Sequence, residues 1–161
     1  MKSGCGICRF INLVLAIGVA GLAYLVLVPG NVEPHADGRS VVLLTGDERN
    51  MVLGEMRGLL ETVQVVVKAS TKGDMEAVSA AATAAGMAAA RGESAALIGK
   101  LPVEFMTLGM GTHKAFDALA VTAQGTDDPM VVLTELGTIM DNCTGCHAGY
   151  RLGIEGEDKE D

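Results

Sequence analysis

The sequence predicts an all-α protein: an up-down-up-down four-helix bundle preceded by one transmembrane helix. Three observations lead there. Phe10 to Val28 form an apolar run of 19 residues in which Asn12 is the only clearly polar one. From residue 46 onward, apolar residues recur at three- and four-residue steps in four successive segments, the spacing of one buried helix face. Two of the connections between those segments are short, which makes neighbouring helices antiparallel. There is no convincing β pattern and no internal repeat. The chain therefore divides into a cytoplasmic N-terminus and membrane anchor (1–30), a linker (31–45), the bundle (46–152) and an acidic tail (153–161).

The apolar run at 10–28 is long enough to cross a hydrocarbon core as a helix. Lys2 and Arg9 precede it, and Glu33 and Asp37 follow, so the positive-inside rule puts the N-terminus in the cytoplasm and the rest outside. A cleaved signal peptide is the rival reading, with Gly21-Leu22-Ala23 as the small-residue site. Tyr24 to Val28 continue the apolar run past that point, as an anchor does. Cys5 and Cys8 form a CxxC with no His behind it. Cytoplasmic thiols stay reduced, and idle or acylated thiols beside a membrane helix are the plainer account than metal or redox chemistry. In the linker, Pro29, Gly30, Pro34 and Gly38 break any helix. Val41 to Leu44 are expected to pack onto the bundle, and His35 to be an exposed linker residue.

Thr45-Gly46-Asp47-Glu48 fits a capping box, with Thr45 as N-cap and Glu48 three residues on. The helix it opens is expected to run to about Ser70 and to bury Val52, Leu53, Met56, Leu59, Leu60, Val63 and Val67. Gly73 ends it and Asp74 caps the next, an Ala-rich helix over roughly 75–91. A longer connection, 92–101, leads to Pro102 at the first turn of the third helix. That helix runs to about Gln124 with Phe105, Thr112, Phe116, Leu119 and Ala123 inward. Gly125 closes it, and Asp127, Asp128 and Pro129 start the fourth, whose apolar stripe reads Leu133, Leu136, Met140, Cys143, His147, Tyr150.

Composition narrows the function. Aromatic residues make up only 3%, with no Trp, so the bundle is short of large core groups, and a buried flat cofactor would fill that deficit. The formal charge is −8, and setting aside Lys2 and Arg9 leaves −10 on the rest. So acidic a surface argues against nucleic acid. It suits a basic-surfaced partner whose docking weakens with salt, or serves solubility alone.

The fourth helix ends in Cys143-Thr144-Gly145-Cys146-His147, the attachment signature of c-type haem. Two thiols form thioethers with the haem vinyl groups, and the adjacent imidazole binds the iron. On a helix, Cys143, Cys146 and His147 stand at i, i+3 and i+4 and share one side. A zinc half-site would need two more ligands, and Cys5, Cys8, His35 and His113 lie far off in sequence. A thioredoxin-like dithiol expects a βαβ setting.

The continuation Cys-x-x-Cys-His-x-x-Tyr-Arg, here Cys143, Cys146, His147, Tyr150 and Arg151, resembles the cytochrome c′ and cytochrome c-556 family of monohaem four-helix bundles. The resemblance covers about residues 46–152. It implies one covalently bound haem c (iron protoporphyrin) on the fourth helix, with His147 as the proximal iron ligand, and a periplasmic setting, because haem is attached outside the bacterial inner membrane. In the family the residue on the other side of the iron comes from the first helix of the bundle. Two registers fit. Met56, followed by Arg57, looks like the pattern of six-coordinate members, and thioether sulfur raises the potential of haem iron. Counting four residues from Arg49 instead makes Leu53 the distal residue, leaving the iron open to nitric oxide or carbon monoxide. His113 is a third option, as a second imidazole, or else a surface or paired residue. The resemblance brings Arg151 near the haem, within reach of a propionate, and Tyr150 is a candidate wall of the pocket.

These readings make the chain a membrane-anchored electron carrier on the periplasmic side, single-pass through residues 10–28, with a redox partner protein. The alternatives are a five-coordinate gas-binding haem protein and an accessory haem subunit of a larger membrane complex. A homodimer is implied by the family. No Ser/His/Asp set, paired carboxylate cleft or phosphate-cradling loop points to catalysis.

Overall fold

In the computed structural model, residues 4–27, 30–91 and 94–157 are described. Residues 1–3, 28–29, 92–93 and 158–161 lie outside them, and with them Lys2, the last positions of the expected anchor, part of the expected long connection and most of the expected acidic tail. The described residues form α1 (Gly4–Leu27), β1 (Val32–Pro34), β2 (Ser40–Leu44), α2 (Gly46–Ser70), α3 (Met75–Ala84), α4 (Ala95–Lys100), α5 (Val103–Gly125), α6 (Pro129–Gly149) and β3 (Tyr150–Ile154). The protein is mostly helical. The small sheet corrects the all-α expectation.

Local signals set the helix ends. The Thr45 hydroxyl accepts from Glu48 N at 3.3 Å, and the Glu48 carboxylate accepts from Thr45 N at 2.8 Å. Both satisfy amide donors that the first turn leaves free. Gly73 takes the left-handed φ of 70° that breaks the chain, and Asp74 accepts from Ala77 N to open α3. Asp128 caps α6, with Pro129 in its first turn. Pro102 is the N-cap of α5 rather than its first helical residue.

Tertiary bonds override propensity in one place. The Ala-rich helix stops at Ala84, seven residues short of the expected end. His113 Nδ1 lies 2.7 Å from Ala85 O, and Asp117 accepts from Met87 N at 3.0 Å. One turn of α5 thus ties down the chain as it leaves α3. A Cβ at Gly86 would collide with the Asp117 carboxylate, so a side chain there would push Asp117 away from Met87 N. His113 is a buried structural anchor. The connection expected at 92–101 instead holds α4, capped by Ser94.

α2 packs on α3 and α6, α3 on α5, and α5 on α6. Val66, Val78, Phe116, Leu119, Val132 and Leu136 form the centre of the core between them. The inward residues expected of α5 are buried. Two stripes are rotated by a residue. On α2, Leu60 and Val67 are exposed and Val66 is buried; on α6, Met140 is exposed and Ile139 buried. At about 100° per residue, a step of four overshoots a full turn and a step of three undershoots it. Apolar residues at both steps look alike in sequence, and the flanking helices choose.

The sheet has the order β1-β2-β3. β1 and β2 are antiparallel, Val32 opposite Val42, and Gly38 turns between them at φ 86°. β3 runs parallel to β2, with Ser40 opposite Tyr150 and Leu44 opposite Ile154. Two expectations are corrected here. Residues 31–45 are a docked ribbon, not a plain linker. Tyr150 and Arg151 are not on the fourth helix, because α6 ends at Gly149 and Tyr150 is extended at φ −131°, ψ 154°. Gly153 and Ile154 likewise belong to the sheet, not to a loose tail. Val42, Leu44, Val52, Leu97, Leu101 and Phe105 close a second core beneath it.

α1 has one span, Gly6–Tyr24, long and apolar enough to cross a membrane or to act as a signal sequence, and none of it is buried. Cys8 is exposed there.

Candidate functional site

Four segments of chain bring the site together. The last turns of α6 carry Cys143, Cys146 and His147, and β3 continues directly with Tyr150, Arg151 and Leu152. α2 presents Arg49, Leu53 and Met56, spaced four and three apart on one face, and α5 adds Phe105. The turn between β1 and β2 adds Arg39. A cavity of about 260 Å³ is lined by Arg39, Arg49, Leu53, Met56, Phe105, Cys146, His147, Tyr150, Arg151 and Leu152.

Six residues singled out in the sequence therefore surround one space: Leu53, Met56, Cys146, His147, Tyr150 and Arg151. Cys143 is half-buried one helical turn before Cys146. Both registers on α2 reach the cavity. His113 is outside it. A hollow of about 480 Å³ at the opposite end of the helices, between α3 and the end of α5, carries none of the predicted site residues.

Burial pushes the Cys143 thiol up, and burial with the neighbouring Cys143 does the same to Cys146. Neither is a ready thiolate. Tyr150 stacks edge-on against Phe105, ring centroids 5.5 Å apart, and its hydroxyl donates to Glu104 at 3.1 Å. Burial, then the Glu104 carboxylate, raises its phenol.

The rim is built on the ribbon. Asp37 binds Arg39 through Nη2 at 2.7 Å and Nε at 3.0 Å, and the Arg39 guanidinium holds its carboxyl below the usual carboxylate range. Arg151 Nη1 stands 3.7 Å from the same carboxylate and 2.8 Å from His35 Nε2. His35 is thus a partly buried member of this cluster, which corrects its reading as a free linker residue. Arg39 Nη1 reaches the His147 carbonyl oxygen at 3.5 Å.

Sequence reasoning missed Arg39 and Asp37. The available signal was the apolar run Val41 to Leu44 directly after them, which marks a strand rather than a loop. Imidazole, thioether and thiols are soft or borderline metal donors, while the three guanidiniums suit carboxylates. Among the described residues, no group of three or more His, Cys, Asp or Glu side chains gathers as a metal cluster. Comparison with protein-family models, with curated proteins and with solved structures finds no match to this chain.

Proposed function

We propose that this chain is a membrane-anchored monohaem c-type cytochrome carrying electrons on the periplasmic side of a bacterial inner membrane. In this reading α2, α3, α5 and α6 are an up-down-up-down four-helix bundle of the cytochrome c′ and c-556 type, and α1 is its retained anchor. The supporting observation is convergence: residues chosen from two stretches some 90 positions apart, Leu53 and Met56 on one side and Cys146, His147, Tyr150 and Arg151 on the other, line one cavity.

The lining fits haem by its chemistry. Cys143 and Cys146 would hold the ring through thioethers, and His147 would bind the iron. Met56 would be the protein's second ligand to it, with Leu53 lining the same space. Phe105, Tyr150 and Leu152 offer apolar wall. Arg39, Arg49 and Arg151, with Asp37 among them, carry a net charge of +2, which balances two propionates. Raised thiols also speak against a redox dithiol, whose attacking cysteine is activated by a lowered pKa. Haem held this way supplies one-electron transfer at its iron, and the partner is another redox protein. The protein's own residues orient the ring, exclude water from one face and set the local charge.

A second reading rests on Arg49 and Leu53, which also line the cavity. Were Leu53 rather than Met56 the residue facing bound iron, the haem would keep an open position and would take nitric oxide or carbon monoxide. The deciding experiment is the optical and electron paramagnetic resonance spectrum of the purified protein beside Met56→Ala. We expect a low-spin ferric signal with a sulfur-to-iron charge-transfer band, lost in the variant. High-spin iron in both, with carbon monoxide binding to the reduced form, would replace the first reading by the second. A protein that matures without haem would sink both.

A further inference from the structure

We infer that the domain lies against the bilayer on the face around α4 and the start of α5, with Ile98 and Val103 in contact with lipid. This rests on α1 being a retained membrane anchor. α1 ends at Leu27, and the chain is already locked into the domain at Gly30 and Asn31. Asn31 N donates to Lys100 O at 2.8 Å, and Asn31 O accepts from Leu43 N at 2.8 Å. Its side-chain amide donates to Leu43 O at 3.1 Å and to Glu155 at 2.9 Å. Gly30, at φ 80°, sits so close to α4 that a Cβ would lie 2.7 Å from Lys100 O and from Pro102 N.

Three Cα steps join Leu27 to Gly30, so the docked point stays within about 11 Å of the end of the membrane helix. The headgroup layer is about 5–8 Å thick on each side, so the tether reaches only a few ångströms past it. Whatever surrounds Lys100 is held at or next to the headgroups. Ile98 is 44% exposed and Val103 48% exposed, two and three residues from Lys100 on either side. The Lys100 ammonium is paired with Glu48 at 2.7 Å and Glu155 at 3.1 Å, so the contact is apolar in character and needs no anionic lipid. Val103 stands two residues before Phe105 of the cavity wall, about 3 Å of helix rise. The cavity is accordingly held beside the membrane surface, where a membrane-resident protein meets it by lateral diffusion.

The test places the photocrosslinker p-benzoylphenylalanine at position 98, 103 or 121 of the full chain, in phosphatidylcholine vesicles, and reads lipid adducts by mass spectrometry. All three positions are exposed, and Val121, 69% exposed, lies near the other end of α5. We expect adducts at 98 and 103 and none at 121. Ten Gly/Ser residues inserted after Val28 should abolish both adducts. A chain that resists carbonate extraction yet gives no adduct at 98 or 103, or equal adducts at 121, would overturn the inference and leave the anchor standing. A chain washed off by carbonate would remove the anchor itself, and this inference with it.

Discussion

Asp37 bridges two arginines from different parts of the chain: its Oδ2 lies 2.7 Å from Arg39 Nη2 and 3.7 Å from Arg151 Nη1. Arg39 ends the turn between β1 and β2, while Arg151 lies on β3 opposite Val41. Two guanidiniums at one cavity rim repel each other unless an anion sits between them. Asp37 supplies it, and so sets where both point.

Asp37→Asn keeps much of that hydrogen bonding and removes the charge. With haem in the cavity, added positive charge near iron favours the ferrous state, so the reduction potential should rise. Asp37→Ala should raise it as well and also free the two side chains. Redox titration of both variants beside the parent checks this. An unchanged potential in both would reduce Asp37 to a turn residue.

Gly153 of β3 has no room for a side chain beside β2. A Cβ there would lie 2.6 Å from Val41 Cγ1 and 3.2 Å from Leu43 Cδ2. Gly153→Ala should therefore cost about 1–3 kcal/mol, the usual range for overpacking, and loosen the strand that carries Arg151. Urea unfolding measures the first effect, and faster amide exchange at residues 150–154 the second.

Phe116 is fully packed in the core between α3, α5 and α6, apart from the second core under the sheet. Phe116→Ala should cost about 3–5 kcal/mol and, with haem bound as proposed, leave its spectrum unchanged. Loss of the spectrum at conditions where the variant remains folded would mean that the two cores are coupled.

Acid should weaken the docking of α4. The Lys100 ammonium, then the Thr45 amide, hold the Glu48 carboxyl below its ordinary value of 4.5. A carboxylate whose folded pKa is lowered stabilises the fold above the ordinary pKa, and the stabilisation fades as pH falls through the folded one. Parent and Glu48→Gln should differ in Tm at pH 7 and converge as pH falls below 4.5. A difference that persists undiminished down to pH 2 would show that charge is not its source.

By itself the sequence determined where most of the helices begin and which side chains each presents. The capping box at Thr45 and Glu48, the break at Gly73 and Asp74 and the start at Asp128 and Pro129 are local events, settled within one turn of chain. So is the CxxCH spacing, and so is the pairing of Leu53 and Met56 on one helix face. The tertiary structure decided what depends on residues far apart. β2 and β3 pair across more than 100 positions, and Tyr-Arg-Leu-Gly-Ile reads equally well as the fraying end of a helix until a partner strand is present. α3 stops early because α5 offers His113 and Asp117 to the turn after it. The rotation of the α2 and α6 stripes, and the assembly of Arg39 and Asp37 beside Arg151, come likewise from packing. Hydrogen-bond partners and buried faces at long range are set by the whole fold, and no local window of sequence contains them.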